Sequence, residues 1–150
     1  MRLSAIERKI LNCIQEDIPL IPEPFELLSK RLGLREGEFL NRIKGLRERG
    51  IIRNYAAGIN HKRLGFTSSL IALRIPSNEL DPIVKEIVSY KEVTHCFLRD
   101  GEYNLWIVFI CLRKKLLREF LNKLIKKIGK KNILNIPTKR QFKLKTKLKI

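Results

Sequence analysis

Leu3, Ile6, Ile10, Leu11 and Ile14 recur every three to four residues, a spacing that predicts an amphipathic helix over residues 3–15. Pro19, Pro22 and Pro24 then enforce a loop. Phe25, Leu27, Leu28 and Leu32 mark a short second helix that stops at Gly33. Residues 35–49 form a third, with Phe39, Leu40, Ile43 and Leu46 on its inner side and Gly50 as its end signal. The run from Ile51 to Tyr55 reads as a wing-like strand. Three helices with a tight turn between the last two, followed by a wing, predict a helix-turn-helix module over residues 1–56.

The pattern changes around residues 57–66, which read as a linker. Beyond it, residues 67–75 read as a strand, 80–90 as a helix, and 93–99 with 102–111 as a hairpin. Residues 116–128 place Leu116, Leu117, Phe120, Leu121, Leu124, Ile125 and Ile128 on one helical stripe. Residues 140–149 alternate Phe142, Leu144, Thr146 and Leu148 with polar side chains, as a half-exposed strand does. The order βαββαβ predicts a ferredoxin-like domain over residues 67–150, and an α+β protein as a whole. Helices cover one face of such a sheet, and the other is left for a ligand or a partner subunit.

The hairpin holds the densest candidate chemistry. Asp100-Gly101 between two apolar runs signals a two-residue turn. That turn pairs Arg99 with Glu102, Phe97 with Asn104, and His95 with Trp106. One sheet face then carries His95, Phe97, Arg99, Asn104 and Trp106 together. A guanidinium, an imidazole and two large rings suit a flat, carboxylate-bearing aromatic ligand better than a dry core.

Composition narrows the class. No apolar run approaches the roughly 18 residues of a membrane span, and Met1-Arg2 leads into a polar helix, so a cytoplasmic protein with no membrane partner is expected. Cys13, Cys96 and Cys111 are odd in number and lack CxxC spacing, which argues against disulfides and zinc. The formal charge of +17 is unevenly spread: residues 111–150 hold 15 Lys/Arg against Glu119 alone, and the other 110 residues carry a net +3. A basic surface of this kind attracts any polyanion, whether nucleic acid or a small polycarboxylate.

The whole pattern resembles the Lrp/AsnC proteins, and a set of shorter matches resembles their relatives, the siroheme decarboxylases. Ile14-Gln15-Glu16-Asp17-Ile18-Pro19-Leu20 with Pro24-Phe25 is similar to that family's opening motif. Gly50-Ile51-Ile52-Arg53, Leu64-Gly65-Phe66, Val93-Thr94-His95 with Arg99, and Tyr103-Asn104-Leu105-Trp106 continue the resemblance, and Pro137 with Phe142-Lys143 closes it. Ile18 stands where the family usually has Phe, and Asn54-Tyr55-Ala56 replaces a more basic stretch. His61 ahead of the Leu-Gly-aromatic motif resembles one of the family's two subunit types, and Tyr103-Asn104-Leu105-Trp106 the other.

The resemblance implies removal of carbon dioxide from the two acetate side chains of siroheme, giving didecarboxysiroheme in the alternative haem pathway. It implies a homodimer or a heterodimer with a paralogous subunit. It implies no separate cofactor, because the iron arrives with the substrate. His95 is then the first candidate for the proton donor, since imidazole titrates near neutral pH. Arg99 and Arg53 would grip carboxylates bidentately. Tyr103, Asn104 and Trp106 would contact or orient the ring, and His61 would be a second acid, a contact to the iron, or a contact to a propionate. Two alternatives stand beside this reading. One is a DNA-binding regulator, for which 11 basic against 8 acidic residues over positions 1–60 is a weak electrostatic footprint. The other is a tetrapyrrole sensor with His61 or His95 as axial ligand.

Overall fold

Ser4 starts α1 (Ala5–Glu16) with a capping box: its hydroxyl accepts from the Glu7 amide at 3.2 Å, and the Glu7 carboxylate accepts from the Ser4 amide at 2.7 Å. Glu7 also pairs with Arg49, the residue that closes α3 (Glu36–Glu48). Between them lies α2 (Pro24–Arg31). Both α2 and α3 end on a left-handed glycine. At Gly33, Leu34 N–H returns to Ser29 O and Gly33 N–H to Lys30 O; at Gly50, Ile51 N–H returns to Leu46 O and Gly50 N–H to Arg47 O. This double return satisfies carbonyls that a helix end otherwise leaves open. Ile10, Leu11, Leu28, Phe39, Ile43, Leu46 and Ile52 form the buried centre of this helical unit.

The computed structural model describes every residue except Met1, Gln141, Leu144, Lys145, Thr146 and Lys149. The chain divides into two compact units: Met1–Gly58 with Lys143–Ile150, and Ile59–Phe142. The last residues, expected in the second domain, are therefore placed with the first. There Gln15 clamps the chain from both sides: its carbonyl accepts from Leu148 N–H at 3.0 Å, and its amide donates to Leu148 O at 3.4 Å.

The wing-like strand expected over residues 51–55 does not form. The amides of Ile51 and Ile52 both turn back to Leu46 O, and Ile52 is buried in the helical core. Their donors close a helix and so cannot open a ladder.

The second unit is a four-stranded antiparallel sheet in the order β2-β3-β1-β4, the ferredoxin-like arrangement. Its strands are β1 (Thr67–Leu73), β2 (Val93–Leu98), β3 (Leu105–Cys111) and β4 (Ile133–Pro137), with α4 (Leu80–Val88) and α5 (Lys114–Ile128) as the crossover helices. The residues of β3 alternate strictly. Leu105, Ile107, Phe109 and Cys111 are buried, and Trp106, Val108 and Ile110 are half-buried on the opposite face. The buried set meets Ile83 and Ile87 of α4 and Phe120 and Leu124 of α5, with the Phe109 and Phe120 rings stacked 4.6 Å apart.

The fourth strand also departs from expectation. Residues 140–149 fall partly outside the described residues, and β4 is instead Ile133–Pro137, paired with β1. Asn135 and Pro137 disguise it in the sequence. The Ser69 hydroxyl satisfies Asn135 at 2.6 Å, and an edge strand tolerates a proline because one side of its backbone has no ladder partner. No helix among the described residues is long and apolar enough to cross a membrane.

Hydrogen bonds from the Ser4 backbone and hydroxyl, with Arg49 beside them, hold the Glu7 carboxyl below the ordinary carboxylate range. A lowered folded pKa contributes stability above the unfolded value and loses it as pH falls through the folded one. Comparing Tm of the wild type with Glu7→Gln should therefore show an advantage at neutral pH that shrinks toward zero on acidification.

Candidate functional site

The β2–β3 hairpin is wider than its Asp-Gly signal suggests. Phe97 lies opposite Trp106, His95 opposite Val108, and Arg99 N–H donates to Asn104 O at 2.7 Å. The loop thus spans four residues, Asp100 to Tyr103, and the expected pairing is out by two. A type I′ turn needs positive φ at both central residues. Gly101 has φ of +118°, while Asp100 is not in the positive region. Side-chain anchors hold the wider loop. Glu102 pairs with Arg74 at 2.7 Å, and the Trp106 indole N–H donates to Tyr103 O at 2.8 Å. The Asn104 amide grips Ile75 twice, donating to its carbonyl at 2.7 Å and accepting from its N–H at 3.0 Å.

A slip of two residues keeps every side chain on its own face, whereas a slip of one would invert them all. The expected grouping of His95, Phe97, Arg99 and Trp106 therefore survives the change in pairing. His95 and Phe97 of β2 and Arg99 just beyond its end stand at alternate positions, all exposed. The His95 and Phe97 rings are 5.9 Å apart, and the Arg99 guanidinium lies 5.7 Å from the centre of the Phe97 ring. A concavity of about 310 Å³ opens beside them, lined by Leu70, Phe97, Arg99, Trp106 and Val108. Around it the helix-free face stays apolar, with Leu134 and Ile136 of β4 exposed on the same side as Leu70 and Ala72.

Arg99 does not pair with Glu102 across the hairpin, because Arg74 has taken that carboxylate. Among the described residues Arg99 has no acidic partner, and its fork faces open space above an aromatic ring. Such a cation, backed by apolar surface, is suited to a carboxylate on a planar ligand.

The other expected site residues are placed differently. The amide of Asn104 is committed to the Ile75 backbone, and the Tyr103 hydroxyl reaches Lys131 O at 3.4 Å. Both hold the loop in shape. Arg53 is exposed in the helical unit, at a groove of about 920 Å³ that also includes Ile14, Gln15 and Tyr55. His61 belongs to the sheet unit and sits in a turn where its carbonyl accepts from Leu64 and Phe66. Among the described residues its Nε2 is buried without a hydrogen-bond partner, a state that costs free energy and calls for a reason. Burial pushes the Cys96 and Cys111 thiols up, leaving them protonated and inert at neutral pH. Among the described residues no group of three His, Cys, Asp or Glu could hold a metal ion. Leu70 and Val108 were not singled out from the sequence; alternation along β1 and β3 would have found them once the strand order was known.

Comparison with known proteins adds lineage to this geometry. A family model described as the siroheme decarboxylase NirDL-like HTH domain matches residues 7–53, and one for the AsnC-like ligand binding domain matches residues 63–143. The siroheme decarboxylase alpha subunit of Nitratidesulfovibrio vulgaris is 35% identical over 143 residues, covering 95% of this chain and 81% of that protein. That of Oleidesulfovibrio alaskensis is 36% identical over 148 residues, 99% and 90%. The chain belongs to the siroheme decarboxylase family. A siroheme decarboxylase beta subunit from Methanosarcina barkeri is 33% identical over 103 residues, covering 65% of this member of the family. Among solved structures, Escherichia coli AsnC shares the fold, with a TM-score of 0.81 at 19% identity over 97% of this chain and 98% of that one. The siroheme decarboxylase NirDL is 30% identical with a TM-score of 0.71, covering 95% of this chain and 47% of that one.

Because Asn104 satisfies both polar groups of Ile75, Asn104→Ala should lower stability by about 1–3 kcal/mol. Urea denaturation of the whole chain measures it, and Asn104→Asp, which sets a second acceptor against the Ile75 carbonyl, should not restore the loss.

Proposed function

We propose that this chain is a subunit of a siroheme decarboxylase, and that it removes the acetate carboxyls on rings C and D to give didecarboxysiroheme, as in the alternative haem pathway. The observation that carries the reading is the Arg99 guanidinium over Phe97, without an acidic partner among the described residues, near His95 and beside the Trp106 ring on an otherwise apolar sheet face. Siroheme is a flat macrocycle edged with carboxylates and calls for that combination.

In each decarboxylation the bond between the methylene carbon and its carboxylate breaks. The electron pair stays on the methylene carbon, carbon dioxide leaves, and a proton completes the new methyl group. Arg99 holds a substrate carboxylate and fixes the orientation of the ring. Phe97 and Trp106 form the surface against which the macrocycle lies and exclude water from one side of it. His95 delivers the proton. Arg53 as a further carboxylate contact, and His61 as a second acid or a contact to the substrate's iron or a propionate, are part of the same proposal. The buried Nε2 of His61, unpartnered among the described residues, supports a role beyond packing.

A concavity of about 310 Å³ takes an edge of a tetrapyrrole and not the whole of it. A second protein surface is therefore part of the proposed slot, supplied by a second copy or by a paralogous subunit. The alpha subunits of Nitratidesulfovibrio vulgaris and Oleidesulfovibrio alaskensis align along 95% and 99% of this chain, and the Methanosarcina barkeri beta subunit along 65%, which supports the alpha role. The DNA-binding alternative finds little support in α3, where Glu38 takes both Nε and Nη2 of Arg42 at 3.0 and 2.8 Å. An engaged arginine is a poor reader of base edges.

Anaerobic incubation of the purified protein with siroheme, alone and with its paralogue, should yield a product lighter by two carbon dioxide units. Siroheme bound but chemically unchanged with the paralogue present would replace the enzyme with a sensor. His95→Asn should lower turnover about 10²–10⁴-fold while siroheme still binds. Arg99→Ala should weaken siroheme binding by about tenfold to a hundredfold, the loss of a charged hydrogen-bonded contact.

A further inference from the structure

Strand β2 carries an irregularity in its pairing with β3 between Val93 and His95, where one residue is added against its partner. Val93 and Cys96 are half-buried against the core, and the two residues between them, Thr94 and His95, are both exposed. A regular strand would place one residue there. The extra residue puts a hydroxyl directly beside the imidazole. Thr94 Oγ1 lies 3.0 Å from His95 Nδ1 and 3.3 Å from the carbonyl oxygen of Val108, the residue opposite His95.

Those two distances constrain the protons. A carbonyl oxygen can only accept, whereas Nδ1 can donate or accept according to its tautomer, so both contacts are hydrogen bonds together only when the single hydroxyl proton of Thr94 goes to Val108 O. In that arrangement the hydroxyl oxygen turns its lone pairs toward His95 and Nδ1 donates. We infer that Thr94 is a positioning residue: through the Val108 carbonyl it holds the His95 imidazole with its proton on Nδ1, so that Nε2 is the nitrogen that exchanges a proton with bound substrate. The second nitrogen of a histidine is set by the hydrogen bond the first one makes.

The inference rests on the reading of His95 as the proton donor and gives that reading a direction. The charged imidazolium carries protons on both nitrogens. Nε2–H is transferred to the methylene carbon as the bond to the carboxylate carbon breaks and carbon dioxide departs. The neutral ring that remains keeps its proton on Nδ1, already bonded to Thr94, so no tautomer exchange delays its return to the charged form. Carboxylate and imidazolium charges cancel across the step.

The test is nitrogen NMR of the full chain with labelled histidine, recorded where the imidazole is neutral, together with steady-state decarboxylation of siroheme. Wild type should show His95 mainly as the Nδ1–H form. Thr94→Val should shift it toward Nε2–H, and Thr94→Ser should retain the wild-type form. A wild-type ring protonated mainly on Nε2, or a ratio unmoved by Thr94→Val, would overturn the inference. In the kinetic arm, Thr94→Val should lower kcat about tenfold or more with KM little changed, and Thr94→Ser should recover it. A tautomer that shifts while kcat stays constant would leave Thr94 in its positioning role and remove His95 as the proton donor, which separates the two failures.

Discussion

The bidentate grip of Asn104 on Ile75 fixes where β3 begins, and most of the site follows from that point. By holding the end of β1 against the start of β3, it leaves the loop four residues to cross from Arg99 and sets Phe97 opposite Trp106. Were the hairpin closed by a two-residue turn, Trp106 would stand opposite His95 instead. The guanidinium would then sit beside Glu102 with an acid within reach. The wider loop sends Glu102 to Arg74 and leaves Arg99 without an acidic partner among the described residues. One amide side chain, contributing through two ordinary hydrogen bonds, thereby decides the charge state of the neighbourhood.

That arrangement shows a division of labour within a short motif. Tyr103, Asn104 and the indole N–H of Trp106 are turned toward backbone groups and hold the loop. Phe97, Arg99 and the Trp106 ring face outward and are open to a ligand. Trp106 serves in both sets: its N–H holds the loop while its ring lines the concavity. Loop tethering of this kind keeps the outward set in one geometry before any ligand arrives, which reduces the entropy lost on binding.

The fold was legible because its periodicities are clean. Helical stripes over α1, α3 and α5 and the strict alternation of β3 each point to one structure. What was hidden depended on contacts distant in sequence. The wing strand failed because the amides of Ile51 and Ile52 close α3, a choice that local pattern does not reveal. β4 was missed because Asn135 and Pro137 look like strand breakers until Ser69 and an edge position accommodate them. At the site, the sharing of one face by His95, Phe97, Arg99 and Trp106 was readable, since alternation survives a slip of two. The pairing itself was not, because Asp-Gly is a local signal and Ile75 and Arg74 lie a whole crossover away. Nor could the sequence distinguish Asn104 as an anchor from Asn104 as a ligand contact.

The irregularity in β2 has a bearing on how this chain can change over time. Val93 and Cys96 fill the core whether one residue or two separates them, so hydrophobic packing has no stake in the additional position. A deletion there would heal the ladder, restore regular pleating and leave the histidine in place, with its hydroxyl neighbour gone. Drift should erode an insertion that folding does not require. Where such an insertion persists down a lineage, what preserves it is the work done on the exposed side of the sheet.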